Sequence, residues 1–439
     1  MTTRRGFLSR TALASGALVL PAGLFTLMGG SGCATAPRRT DHYFIFYFMV
    51  GGWDLMLTTD PVNQEGFYRP FDDDALVMAG DLRLGPAMKA LLPFQSKLGI
   101  LKGIHIDALN HPQARFRMVT GKFKPPGNHV AAPSVQTLIA QAKGNGYELP
   151  NLSSDQLRPA TFRGAVADLR LEPVRVSSVA QLRGLTNIKG DISKSRIDIE
   201  QALRAKDAMT AQQWKTSSSA DLPDRFAAFG DLQRNLAQSD YRQRVEATMS
   251  TLDDARGAVG LGNDRLEAQV QLAIEAVHQD LAPVVTVGTG EFDSHSKSEY
   301  ASHAASVIRG LTAVGKIAAG LAAISTGQGR SLLDMTTIVV TSEFSRTPSR
   351  NELGGKHHWP TNSMLLLGKG VRRAKDGHPN VFGVVDENLI AQAVNPQNGS
   401  TKRGAELLDM SHGLATVLAL GGIDPGPLLN QDPIVALLA

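Results

Sequence analysis

The sequence predicts an α/β fold: a mainly parallel sheet flanked by helices, carrying a helical insertion. Three observations predict it. Five short apolar, β-prone runs are spread over residues 42–367. Stretches with a 3.6-residue apolar period separate them. Asp, His and Glu concentrate just after the runs, at the strand ends where open parallel sheets hold their ligands.

Residues 42–50, HYFIFYFMV, form the first run. Continuous apolarity is the mark of a strand buried on both faces. Gly51-Gly52 stops it. Residues 98–104, 284–287, 336–340 and 364–367 supply four more strands, the last closed by Gly368. Helices are predicted over 132–141, 197–215, 221–255, 262–281, 300–324 and 413–420, from apolar spacing and good helix formers. The 300–324 helix is expected to break or flex at Gly310 and Gly315. Residues 190–281 hold no recognisable strand and read as a helical insertion within a domain spanning 41–439. Segments 369–380 and 394–404 read as loops.

Residues 1–33 read as a signal peptide. Arg4-Arg5 precede Gly6-Phe7-Leu8 and a weakly apolar stretch over 11–30, a pattern like that of twin-arginine export of folded proteins. Cys33 is the only cysteine. It is either a lipid-attachment residue or is lost by cleavage near Ala34-Thr35-Ala36. No disulfide can form within the chain. The expected location is the periplasm, soluble or lipid-anchored, with the twin-arginine machinery as a partner and peripheral membrane association if Cys33 is lipidated. No other run reads as a membrane span.

Removing residues 1–33 lowers the formal charge from +4 to +1. No Lys/Arg tract with interleaved aromatics remains, so composition excludes a nucleic-acid partner.

Five polar clusters carry the chemistry. Asp54 follows the first run and is either a metal ligand or a helix N-cap. Asp293 and His295, in Glu291-Phe292-Asp293-Ser294-His295, can converge on one ion, and imidazole with carboxylate suits zinc, manganese or iron. Glu343 and Arg346 follow the most strand-like run. Either Glu343 binds metal and Arg346 clamps an anion, or the two form an ion pair. In Lys356-His357-His358, extended backbone points adjacent side chains opposite ways, so one histidine is expected to bind an ion. His412 opens the last helix.

The run TSEFSRTPSRNELGGKHHWP resembles the signature of a bacterial family, domain of unknown function 1501. GGWD at Asp54, the loop at His111, Asp293 with His295, and the closing Asp409-x-x-His412 fit the same order. Members usually carry a twin-arginine signal and are similar to the alkaline phosphatase and sulfatase superfamily. The resemblance implies an alkaline-phosphatase-like domain with two divalent metal ions, zinc or manganese, with calcium as a further candidate. It implies Asp54, Asp293, His295, His412 and His357 or His358 as metal residues, joined by Glu343. It implies His111, Arg346 and Lys356 as catalytic residues, the last two meeting the anion.

Two departures stand out. The family's Ser-His-Phe-Asp-Ala reads Asn110-His111-Pro112-Gln113-Ala114 here, so the natural nucleophile is missing and Thr120 is a poor substitute. His357 replaces an expected acid. Two functions follow: an exported metal-dependent hydrolase of phosphate or sulfate esters with water as nucleophile, or a non-catalytic envelope protein binding an anionic glycan or lipid headgroup.

Overall fold

The computed structural model describes residues 38–122, 132–154, 171, 173–176, 265–290, 292–327, 329–374 and 376–439. The signal segment with Cys33 and the predicted helices 197–215 and 221–255 lie outside the described residues. Of the predicted insertion, only residues from 265 onward are described.

Eight strands form one sheet: β1 (Tyr43–Met49), β2 (Leu98–His105), β3 (Asn151–Ser153), β4 (Val174–Arg175), β5 (Val284–Thr289), β6 (Thr336–Thr341), β7 (Thr361–Gly368) and β8 (Asn380–Phe382). Their spatial order is β8-β2-β7-β6-β1-β5-β3-β4. β7 runs antiparallel to β6 and β2, and every other pair is parallel. The five predicted strands are all present, so the predicted class, a mainly parallel sheet flanked by helices, is the observed one. β3, β4 and β8 were not foreseen. At two or three residues each they are too short to show a period.

The helices are α1 (His111–Thr120), α2 (Val135–Lys143), α3 (Arg265–His278), α4 (Lys297–Ala323) and α5 (Met410–Leu420). They cover both faces. Tyr43, Ile45, Tyr47 and Met49 of β1 pack with α3, α4 and the 3₁₀ segment Pro86–Lys97. Phe44, Phe46 and Phe48 pack with α1, α2 and α5 on the opposite face. All seven β1 residues are buried, each large apolar one contributing about 1.5–3 kcal/mol. α4 is long and apolar enough to cross a membrane by length and composition, yet most of it is buried against the sheet side of the protein.

α4 runs unbroken through Gly310 and Gly315, so the expected break is absent. These glycines serve close approach instead. A Cβ on Gly310 would lie 2.8 Å from Met49 Cε, and one on Gly315 would lie 2.7 Å from the Ala90 carbonyl oxygen.

Parallel strands present their carboxyl ends on one edge. The segments after β1, β5 and β6 therefore meet there, and they carry Asp54, Asp293 with His295, and Glu343 with Arg346. Gly51 makes the meeting possible. Its φ is +121°, and a Cβ there would lie 2.7 Å from the Asp293 amide nitrogen.

Candidate metal centre

Four side chains from three regions converge at this edge. Asp293 and His295 lie on the short link between β5 and α4. The link is fixed by Ser296, which caps α4 reciprocally with Glu299. His358 sits on a two-residue ribbon, His358–Trp359, paired with Ser345–Arg346 after β6. His111 is the first residue of α1. Asn110 caps that helix through its side-chain oxygen, 3.0 Å from the Gln113 amide nitrogen. One ligand atom from each of His111, Asp293, His295 and His358 lies within 4.8 Å of the other three.

The hydrogen bonds fix how the rings face. His111 Nδ1 lies 2.9 Å from Glu343 Oε1. A carboxylate only accepts, so Nδ1 carries a hydrogen, and in the neutral ring Nε2 offers a lone pair. That buried Nε2 lies 3.3 Å from Asp293 Oδ2 and makes no hydrogen bond. His358 Nδ1 donates to the Leu109 carbonyl at 2.5 Å, leaving its Nε2 lone pair 3.0 Å from His295 Nε2. His295 Nε2 is also 3.2 Å from Asp293 Oδ1.

The His358 lone pair and the Asp293 carboxylate thus both face His295 Nε2, which bonds them when it carries the ring hydrogen. Such a set repels itself unless a proton or a cation stands among its members. Burial pushes the His358 imidazole down to about 4, and burial with the nearby Arg346 charge pushes His295 down as well. Donors at about 2.1 Å from a tetrahedral ion lie about 3.4 Å apart, close to the spacings here. Glu343 and the Leu109 carbonyl orient two of the rings from behind, as partners of metal-bound histidines do.

Glu343 is fully buried. Its two oxygens accept the Gly51 N–H at 3.0 Å, and Oε1 also accepts from Arg115 Nε at 3.0 Å. Burial alone would raise its pKa, but the His111 bond, the Arg115 charge and the Gly51 amide hold it below the ordinary value. Arg346 is equally buried. It donates to Asp293 Oδ1 at 2.7 Å, to the Gly51 and Gly52 carbonyls, and to the Lys356 carbonyl at 3.1 Å. Burial works against the Asp293 charge, yet Arg346 still holds its pKa below the usual value.

The remaining sequence candidates lie elsewhere. Asp54 caps the 3₁₀ turn Leu55–Leu57 through the Met56 amide and pairs with Lys356. Lys356 is wholly buried in that pair, so its ammonium does not reach the cleft. Glu343 binds His111 and Arg115, and not Arg346 as the ion-pair alternative expected. His357 is exposed and touches the group only through His295, Nδ1 to Nδ1 at 3.3 Å. His412 bonds Asp409 Oδ1 at 3.0 Å in the cap of α5 and faces Glu406 at 3.5 Å, outside the four-donor group. Thr120 Oγ1 donates to the Phe116 carbonyl at the far end of α1, roughly 14 Å along the helix from His111.

Arg115, Leu109 and Tyr300 were missed. Asn110 with Pro112 is a readable helix start that places His111 in the first turn. One turn on, Arg115 shares its face.

Residues 42–386 match the model of a family described as a protein of unknown function, DUF1501. No curated protein matches the chain. Among solved structures it is similar to the PsFucS1 sulfatase of Pseudoalteromonas sp., at 11% identity over 99% of this chain and 76% of that one, TM-score 0.39. It is similar to the lipoteichoic acid synthase LtaP of Listeria monocytogenes, at 9% identity over 95% and 82%, TM-score 0.38. A protein in the alkaline phosphatase superfamily from Vibrio parahaemolyticus gives 11% identity over 95% and 78%, TM-score 0.37.

Proposed function

For a chain that belongs to the DUF1501 family, we propose a metal-dependent hydrolase of phosphate or sulfate esters, with the ion held by His111, Asp293, His295 and His358. The observation that carries this reading is the convergence of four donor atoms within 4.8 Å, two of the imidazoles fixed from behind by an acceptor. Three imidazoles and one carboxylate suit zinc or manganese, whereas calcium prefers six to eight oxygens. A bound divalent ion supplies Lewis acidity and lowers the pKa of water.

The protein's own groups then have definite tasks. Glu343 and Leu109 keep His111 and His358 in one tautomer. Arg346 holds Asp293 by one oxygen and leaves the other toward His111. Arg115, tied to Glu343 and 30% exposed, is placed to meet an ester anion. Asn110 is spent on capping and Thr120 is remote, so water is the nucleophile in this reading.

One ion per chain is expected. Asp54, the acid after the first strand, already has its cation in Lys356. Asn110, where the family pattern has a serine, favours a second reading, a metal-containing binding protein without turnover. Elemental analysis of the purified chain, followed by p-nitrophenyl phosphate and sulfate assays with and without chelator, tests both. No stoichiometric metal overturns the ion site. Metal without turnover selects the binding reading.

Export through the twin-arginine route to the periplasm belongs to the same proposal, on Arg4-Arg5. Replacing both by Lys and fractionating cells tests it, and unchanged periplasmic delivery overturns it.

A further inference from the structure

Beside the four-donor group lies a shallow hollow of about 270 Å³. His357 forms its border on that side, and its ring is 3.3 Å from His295. Trp359 and Phe67 provide apolar walls. The Trp359 ring cannot swing freely, because its Nε1 donates to the Leu389 carbonyl at 2.7 Å and the ring packs with Phe67 against Leu55 and Met56.

The rim is polar and positively charged. Arg350 is exposed, and its guanidinium lies 3.4 Å from the centre of the Tyr68 ring. No carboxylate is within ion-pair distance of it among the described residues, so its charge is not neutralised locally. Asn388 accepts from Gln64 Nε2 through its oxygen at 3.2 Å, which leaves its side-chain N–H groups to offer. Ser349 adds a hydroxyl.

We propose that this hollow binds one pyranose ring of an anionic glycan, with its ester group turned toward the four-donor group. A sugar ring has an apolar C–H face and a polar equator, matching a fixed aromatic wall with donors around it. The volume is just below the usual range for ligand sites and accommodates one ring, not an extended chain. Arg350 supplies the charge complement for sulfate or phosphate on the ring or its neighbour. A nucleobase would be better served by a slot between two facing rings, and an acyl chain by an uninterrupted apolar channel. Neither is present here among the described residues. The orientation of the ester rests on the hydrolase reading, whereas the binding itself does not.

The test is a glycan array carrying sulfated, phosphorylated and neutral saccharides, probed with the full chain. Hits are titrated by isothermal titration calorimetry. Retention of at least one anionic glycan is expected. Trp359→Ala and Arg350→Gln should each weaken it tenfold or more, Trp359→Phe should recover most of the affinity, and metal content should match the wild type. Arg350 is exposed, so its variant remains informative if Trp359→Ala fails to fold. No retained glycan, or equal binding by the Arg350 variant, overturns the subsite. Glycan binding by a chain without metal would sink the hydrolase reading and leave the subsite standing. Metal without glycan binding would do the reverse.

Discussion

Lys356 and Asp54 form an ion pair sealed in the core, Nζ to Oδ2 at 2.6 Å, with side chains 0% and 1% exposed. The Tyr300 hydroxyl donates to the same oxygen at 3.0 Å, and the Met56 amide to the other. The pair is tolerable only because both charges arrive together and the remaining lone pairs are bonded. It lies next to the donor group, since the Lys356 carbonyl accepts from Arg346 and Arg346 holds Asp293.

Lys356→Met should cost about 3–5 kcal/mol, because it leaves the Asp54 charge buried without a counterion. Adding Asp54→Asn should restore much of that loss. Urea unfolding of the two variants checks this. Equal stability of Lys356→Met and wild type would show that the pair is not sealed.

Glu343→Gln should weaken metal retention about 10- to 100-fold, since His111 loses the carboxylate that fixes its tautomer. Competition against a chelator measures it. The sheet should remain folded by circular dichroism.

Acid should destabilise the fold well above the carboxylate range. His303 and His42 are buried and neutral, pushed down to about 4 and about 3 by burial. Their unfolded value is about 6.5, so the unfolded chain binds more protons from about 6.5 down to about 4 for His303 and about 3 for His42. Stability is then full above about 6.5 and falls as pH drops through this window. The loss is on the order of a few kcal/mol. His303→Leu should flatten the slope of urea stability between pH 5 and 7.

Gly315→Ala should destabilise by about 1–3 kcal/mol through overpacking, although alanine is the better helix former by about 1 kcal/mol. The added Cβ meets the Ala90 backbone oxygen, which cannot move aside as a side chain can. Thermal melting decides between the two effects, and a raised Tm would count against close approach.

The sequence by itself determined the sheet class, its five longer strands and the placement of reactive residues after them. Those features follow from local periodicity. A run such as 42–50 has no other way to hide its aromatic rings than as a central strand. It also held both readings of Asp54, cap and ligand, without deciding between them. Only the tertiary structure shows Asp54 both capping the turn and paired with Lys356, which arrives from 302 positions away. The same holds for His358, which meets His295 across 63 positions, and for His111, which reaches Glu343 across 232. Spacing along a chain sets how the backbone repeats. Which charges and lone pairs end up facing one another is set by strand order and chain reversal, and burial then makes each of those meetings obligatory.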